Sequence, residues 1–118
     1  MEYWKVTENE HGVVITTFGH DKTRKWVLAV QEFGRCMKGR TQAVSVIADL
    51  CQMTGYETQA RRAWQDAFRQ HRALMRAVII VGARSPVIRM GAAVVSAVAG
   101  VPVRFVKDWA EVSDLARP

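Results

Sequence analysis

Residues 43–82 read AVSVIADLCQMTGYETQARRAWQDAFRQHRALMRAVIIVG, and their reading decides the fold. The run AVSVIADL (43–50) is apolar apart from Ser45 and Asp49, the pattern of a strand covered on both faces. ETQARRAWQDAFRQHRALM (57–75) then sets Ala60, Ala63, Trp64, Ala67, Phe68, His71, Leu74 and Met75 on one stripe at helical spacing. Arg61, Arg62, Gln65, Asp66, Arg69, Gln70, Arg72 and Arg76 cover the rest, and Glu57 precedes Arg61 by one turn in the favourable order for an ion pair. AVIIVG (77–82) is a second apolar run, too short for a helix. Strands joined through a helix lie parallel and take a right-handed crossover, so this centre predicts a mainly parallel sheet with helices packed on it.

Upstream, YWKVT (3–7) and GVVITTF (12–18) are β-branched and aromatic, and the intervening ENEHG offers Asn9 and Gly12 for a turn. They read as an antiparallel hairpin. In HDKTRKWVLAVQEFGRCMKG (20–39), Trp26, Val30, Phe33 and Met37 recur at helical spacing, with Asp21 to cap the start and Gly39 to close the end. Downstream, Ser85 as N-cap and Pro86 at the first helical position open PVIRMGAAVVSAVAG (86–100), apolar nearly all round except at Arg89 and Ser96. This segment falls short of the roughly twenty residues a membrane span needs. It reads as a core helix or one buried against a second copy, its small residues Gly91, Ala92, Ala93, Ser96 and Ala97 suiting either. VPVRFV (101–106) makes a last strand, and Asp108 with Glu111 frames a capping box for a terminal helix carrying Trp109, Val112 and Leu115. The order β-β-α-β-α-β-α-β-α implies one α/β domain over 1–118, a mixed and mainly parallel sheet with an antiparallel N-terminal edge strand, about five strands and four helices.

A chain of 118 residues, 49% of them hydrophobic, can bury one core without disulfides or metal. No low-complexity tract or solenoid repeat interrupts it. The net charge of +6 comes from 17 basic against 11 acidic residues spread along the chain, which reads as a solvated surface. A nucleic-acid role for Arg61, Arg62, Arg69, Arg72 and Arg76 would rest on charge alone, and none is expected. Cys36 and Cys51 match no zinc or redox spacing and read as free thiols. The opening MEYWKVTENEHG lacks the features of a secretion signal, so the expectation is a cytoplasmic protein without a transmembrane segment.

No GxSxG elbow, GxxxxGK[ST] loop, GxGxxG after a strand, or HExxH occurs, so no catalytic residue, metal or cofactor is expected. His11, His20 and His71 fall in a turn, at a helix entrance and on the inner stripe of a helix. Open α/β sheets gather ligands at the carboxyl ends of their parallel strands, where helix N-termini point outward. Two such places occur. At the first, Asp49 stands near a strand end, with Thr54, Gly55, Tyr56, Glu57 and Thr58 at the next helix start. Thr54 and Glu57 have the spacing of a capping box. Alternatively Thr58 or Thr54 is a modifiable hydroxyl, since a phosphate there gains from the helix dipole and adds about two charges to a surface. At the second place, Arg84 and Ser85 could hold an anion, or Ser85 could simply cap.

The order of elements and the residues VIADLCQMTGYETQARRAW resemble the STAS domain, the fold of bacterial anti-sigma-factor antagonists, and more closely its SpoIIAA-like (STAS/SEC14-like) branch. The likeness spans nearly the whole chain. Regulatory STAS proteins carry a pattern like D-L-S-x-V-x-x-I-D-S-S-G, the first Ser of the pair being phosphorylated by a partner kinase. Laying Asp49-Leu50 on its start sets Cys51 at the first Ser, Met53 at the Val, Tyr56 at the Ile, Glu57 at the second Asp and Thr58 at the phosphorylated Ser. Gln59 and Ala60 replace the following Ser-Gly, and the SpoIIAA-like branch generally lacks the phosphosite. The resemblance implies a non-enzymatic interaction or regulatory module with a protein partner such as a kinase or an anti-sigma-like factor. It makes Thr58 the candidate phosphoacceptor and Asp49, Thr54, Tyr56, Glu57, Arg61, Arg84 and Ser85 the candidate partner or ligand surface. Its SEC14-like side implies the alternative, a small-ligand or lipid-binding domain, and a homodimer through the apolar 86–99 helix is a further expectation.

Overall fold

The computed structural model describes residues 2–113. Its strands are β1 (Trp4–Asn9), β2 (Gly12–Gly19), β3 (Val44–Met53), β4 (Met75–Val81) and β5 (Val103–Val106), and its helices are α1 (Trp26–Met37), α2 (Thr58–His71) and α3 (Pro86–Ala99). Short 3-10 turns follow α2 at Arg72–Leu74 and β5 at Trp109–Glu111. The sheet runs β1-β2-β3-β4-β5, with β1 antiparallel to β2 and every other pair parallel. This is the mixed α/β sheet with an antiparallel edge that the sequence implies. Of the expected fourth helix, the described residues show the start: the Trp109–Glu111 turn passes into helical Val112 and Ser113, and Leu115 lies outside them.

Strands in sequential order, joined by crossovers of one hand, put every crossover helix on the same face. That face holds the main core: Val13 and Ile15 of β2, Val46 and Leu50 of β3, and Val78 and Ile80 of β4 pack against Phe33, Trp64, Phe68 and Val95 of the helices. Phe33 is its hub, with ring centroids 5.7 Å from Trp64, 5.5 Å from Phe68 and 5.7 Å from His71. The intervening residues Val14, Ile47, Ile79 and Val81 face the other way, where Val106 and Val112 join them in a second, smaller cluster. So β3 and β4 are apolar on both faces: α1, α2 and α3 cover one, and the segment after β5 brings Val112 onto the other.

Local chemistry sets the element ends. The hairpin turn is held by Asn9, whose side chain accepts from the amides of His11 and Gly12. Gly12 has φ +140°, and a Cβ there would lie 2.0 Å from the Ser45 carbonyl oxygen, so no larger residue lets β2 approach β3. Asp21, almost fully buried, accepts from the Trp26 amide (2.9 Å), the Trp4 indole (3.0 Å) and both the amide and hydroxyl of Thr23 (2.9 and 3.0 Å). It thereby ties the start of α1 to the edge strand. Burial pushes the Asp21 carboxyl up, but these four donors together hold it below its ordinary value. The end of α3 is closed by Gly100 in the left-handed region (φ 74°). Arg89 of α3 lies over the Phe105 ring at 4.1 Å, fastening α3 to β5.

Candidate functional site

The carboxyl edge of β3 and β4 differs in detail from the sequence reading. β3 continues to Met53, three residues past the expected end, because Phe18 and Gly19 of β2 pair with Gln52 and Met53. Asp49 is therefore within the strand, and by alternation it shares that second face with Ile47. Its carboxylate accepts from the Cys51 amide (3.1 Å) and from the indole of Trp109 (3.0 Å), sixty positions away. The structure thus separates Asp49 from the residues at the start of α2.

Those residues belong to the opposite face. The capping box is not formed: Thr54 donates its amide to the Gly19 carbonyl (2.9 Å), the N-cap is Glu57, and no side chain caps α2. Thr58 is the first helical residue and is exposed. Glu57 does not pair with Arg61 either. Its carboxylate faces His20, with Oε1 3.4 Å from Nε2, close enough for an ion pair with a protonated ring though outside hydrogen-bond alignment. Ser85 takes the N-cap position of α3 with Pro86 behind it, but its hydroxyl makes no capping bond, and Arg84 is exposed.

The two loops do meet. Tyr56 crosses from the start of α2 to α3, where its hydroxyl donates to the Val87 carbonyl (3.2 Å) and its ring lies on Gly91. Gly55 is pressed equally close to His20, a Cβ there falling 2.6 Å from Nδ1. Beneath Tyr56 is an apolar cavity of about 80 Å³ between the helix-covered face of the sheet, α2 and α3. Its walls include Leu50 and Met53 of β3, Trp64 and Phe68 of α2, and Ile88 and Val95 of α3. Gly91, Ala92 and Ser96 of α3 also line it, so the small residues that suited a second copy face inward. Outward, α3 shows Val87, Met90 and Val98.

Four polar groups border the cavity besides Tyr56. The Thr17 hydroxyl donates to the Asp49 carbonyl (3.2 Å) and the Ser96 hydroxyl to the Ala92 carbonyl (3.1 Å), so both are satisfied. Arg61 Nε and Trp64 Nε1 are buried and have no hydrogen-bond partner among the described residues. Sequence reading places Arg61 on a partner surface and Trp64 in the core. Neither the cavity nor the unsatisfied pair has a sequence signature, although a glycine inside an apolar helix hints that another group comes close.

Cys51 is exposed and reaches the Val81 carbonyl with its sulfur (3.8 Å). Partial burial, then the Asp49 carboxylate, push its thiol up against the weaker pull of Arg84. The protonated thiol is a poor nucleophile, so a thiolate reaction at this strand end is disfavoured. Among the described residues no cluster of His, Cys, Asp and Glu could hold a metal ion, and no helix is long and apolar enough to cross a membrane.

No family model matches the chain, and no curated protein does. Among solved structures, the chain is similar to an uncharacterized protein of the DUF3478 family with a SpoIIAA-like fold from Shewanella loihica PV-4. The two share 12% identity with a TM-score of 0.74, over 97% of this chain and 92% of the other. At that identity the likeness is one of fold. The chain has a SpoIIAA-like fold, the arrangement to which its sequence was compared.

Proposed function

We propose that this chain is a non-enzymatic, STAS-type regulatory module of the cytoplasm that docks a protein partner through the edge where residues 54–58 and 84–85 meet. The observation that supports it most is the state of Thr58. It is exposed at the first position of a 14-residue helix whose N-cap supplies no side-chain bond, with exposed Arg62 one turn on. First-turn amides, the helix dipole and Arg62 would all receive a phosphate on Thr58, which would add about two negative charges to a docking surface. A kinase or an anti-sigma-like factor is the partner this reading calls for, and a second copy could meet the exposed Val87, Met90 and Val98 of α3. Incubation with native-cell lysate and ATP followed by phosphosite mapping tests the switch. Label on Thr58 that vanishes in Thr58→Ala supports it, and labelling unchanged in Thr58→Ala removes Thr58 from the mechanism.

The cavity favours a second reading, a small-ligand or lipid-binding domain. A concave, mostly apolar space with a few polar groups on its walls is how small-molecule sites are built. Native mass spectrometry of freshly purified protein tests it: a reproducible bound mass supports a resident ligand, and a clean apo spectrum opposes one.

A further inference from the structure

We infer that the outer edge of β1, together with the flank of α1 beside it, docks a second copy of this chain, the two β1 strands pairing antiparallel about a two-fold axis at Val6. None of these residues belongs to the edge at 54–58 and 84–85, so the inference goes beyond the partner reading above.

The first observation is the backbone of β1. Its pairing with β2 keeps one register, from Trp4 opposite Thr17 to Asn9 opposite Gly12, and the Phe18 amide donates to the Tyr3 carbonyl (2.8 Å). Antiparallel pairs alternate between bonded and non-bonded, so Tyr3, Lys5 and Thr7 turn their amides and carbonyls to β2, while Trp4, Val6 and Glu8 turn theirs away from it. No strand takes up that outer side among the described residues. Edge strands that stay single are commonly short, bulged or interrupted by proline. The opposite edge, β5, has four residues, whereas β1 has six, with no bulge and no proline.

The second observation is the groove beside this edge. Trp4 and Val6 pack toward the helix-covered core, and a groove of about 550 Å³ lies between them and Lys25, Leu28, Ala29 and Glu32 at the start of α1. Leu28 is 69% exposed, more than any other large hydrophobic side chain among the described residues. A strand added to β1 would send alternate side chains into this groove, against Leu28.

The third observation is symmetry, which selects a second copy over a foreign strand. Along the flank, Lys25 and Glu32 stand about one turn to either side of Leu28. A two-fold axis reverses α1, so Lys25 of each copy meets Glu32 of the other across the paired Leu28 side chains, the self-complementarity that a two-fold interface requires. Glu32 also meets Arg35 of its own helix, and a carboxylate can accept from more than one cation. The axis at Val6 pairs all three outward residues, Trp4 with Glu8 and Val6 with its own copy. Lys5 then lies opposite Thr7, whereas setting Trp4 opposite Val6 would bring the two Lys5 side chains face to face.

Sedimentation equilibrium of the full chain over a range of concentrations at low salt tests this, with urea midpoints confirming that each variant is folded. We expect a concentration-dependent dimer that Leu28→Glu weakens about tenfold or more. Val6→Pro removes an amide that β2 does not use and should weaken it as much; should that variant not fold, the exposed Leu28→Glu decides alone. Lys25→Glu and Glu32→Lys should each weaken the dimer several-fold, and the two together should restore it. Met90→Glu on the exposed face of α3 should leave it unchanged. A chain that stays monomeric throughout, a dimer indifferent to Leu28→Glu, or a double charge reversal no better than the single ones overturns the inference. A dimer abolished by Met90→Glu overturns it too, and assigns the second copy to α3.

Discussion

The contact between Tyr56 and Gly91 makes a prediction whose sign depends on a second residue. A Cβ at position 91 would fall 2.6 Å from Tyr56 Cζ and Oη and 2.8 Å from Cε1, where ordinary contact begins near 3.4 Å. In Gly91→Ala the ring must retreat by most of an ångström. Its hydroxyl then leaves the Val87 carbonyl, at a cost of about 1 kcal/mol. Residual crowding against α3 adds about 1–2 kcal/mol. Against this, alanine in a helix interior is favoured over glycine by about 1 kcal/mol. The net expectation is a loss of about 1–2 kcal/mol. With Tyr56→Ala already present, crowding and hydrogen bond are both gone and only the helix preference remains, so the same Gly91→Ala change should stabilise by about 1 kcal/mol. Urea unfolding of the wild type, the two single variants and the double variant measures both, the midpoint shifting at constant slope. A stabilising Gly91→Ala in the wild type, or one value in both backgrounds, would refute the claim that Tyr56 is seated on Gly91.

Three further outcomes follow from the carboxylates of Asp21 and Asp49. Asp21 titrates below its ordinary 3.8 in the folded protein, so its contribution is complete above that value and is lost as pH falls through the lower folded one. Acid titration of Asp21→Asn, followed by circular dichroism, should show a shallower loss of stability below about pH 4 than the wild type, and an identical profile would contradict this. At neutral pH, Asp21→Ala strands the Trp26 amide and the Trp4 indole and should cost about 2–4 kcal/mol by urea unfolding. Trp109→Phe removes the indole donor to Asp49 while keeping an aromatic ring, and a loss of about 1 kcal/mol is expected in the same assay. No loss would show that this link contributes nothing.

The order and type of the elements were legible because strand and helix periodicities alternate cleanly from residue 43 to 106. Their ends were less so, for a specific reason. The capping-box spacing of Thr54 and Glu57 and the ion-pair spacing of Glu57 and Arg61 are both real in the sequence, yet neither interaction forms. Gly19 takes the Thr54 amide into an extended strand pairing, and His20 faces Glu57. Both competitors come from the end of β2 and the residue after it, more than thirty residues upstream. Local spacing states what neighbours could do, and long-range pairing decides whether they are free to do it. The same diversion is what leaves Arg61 without a carboxylate.

The orientation of α3 was illegible for a different reason. A helix apolar nearly all round does not say which stripe meets the sheet, and its small residues fit a subunit contact as well as an internal one. The structure turns Ile88, Gly91, Val95 and Ala99 inward, a stripe at the i, i+3, i+7, i+11 spacing, and leaves Val87, Met90 and Val98 exposed. With Gly91 inward, Tyr56 can come down onto the helix and close the loop over the sheet. With Ala92 and Ser96 beside it, where larger side chains would fill the space, the volume beneath Tyr56 stays open. The closing contact and the cavity therefore share one origin in the small residues of α3. It follows that filling the cavity by enlarging Ala92 and dislodging Tyr56 by enlarging Gly91 are separate perturbations, one removing the space for a ligand and the other only its cover.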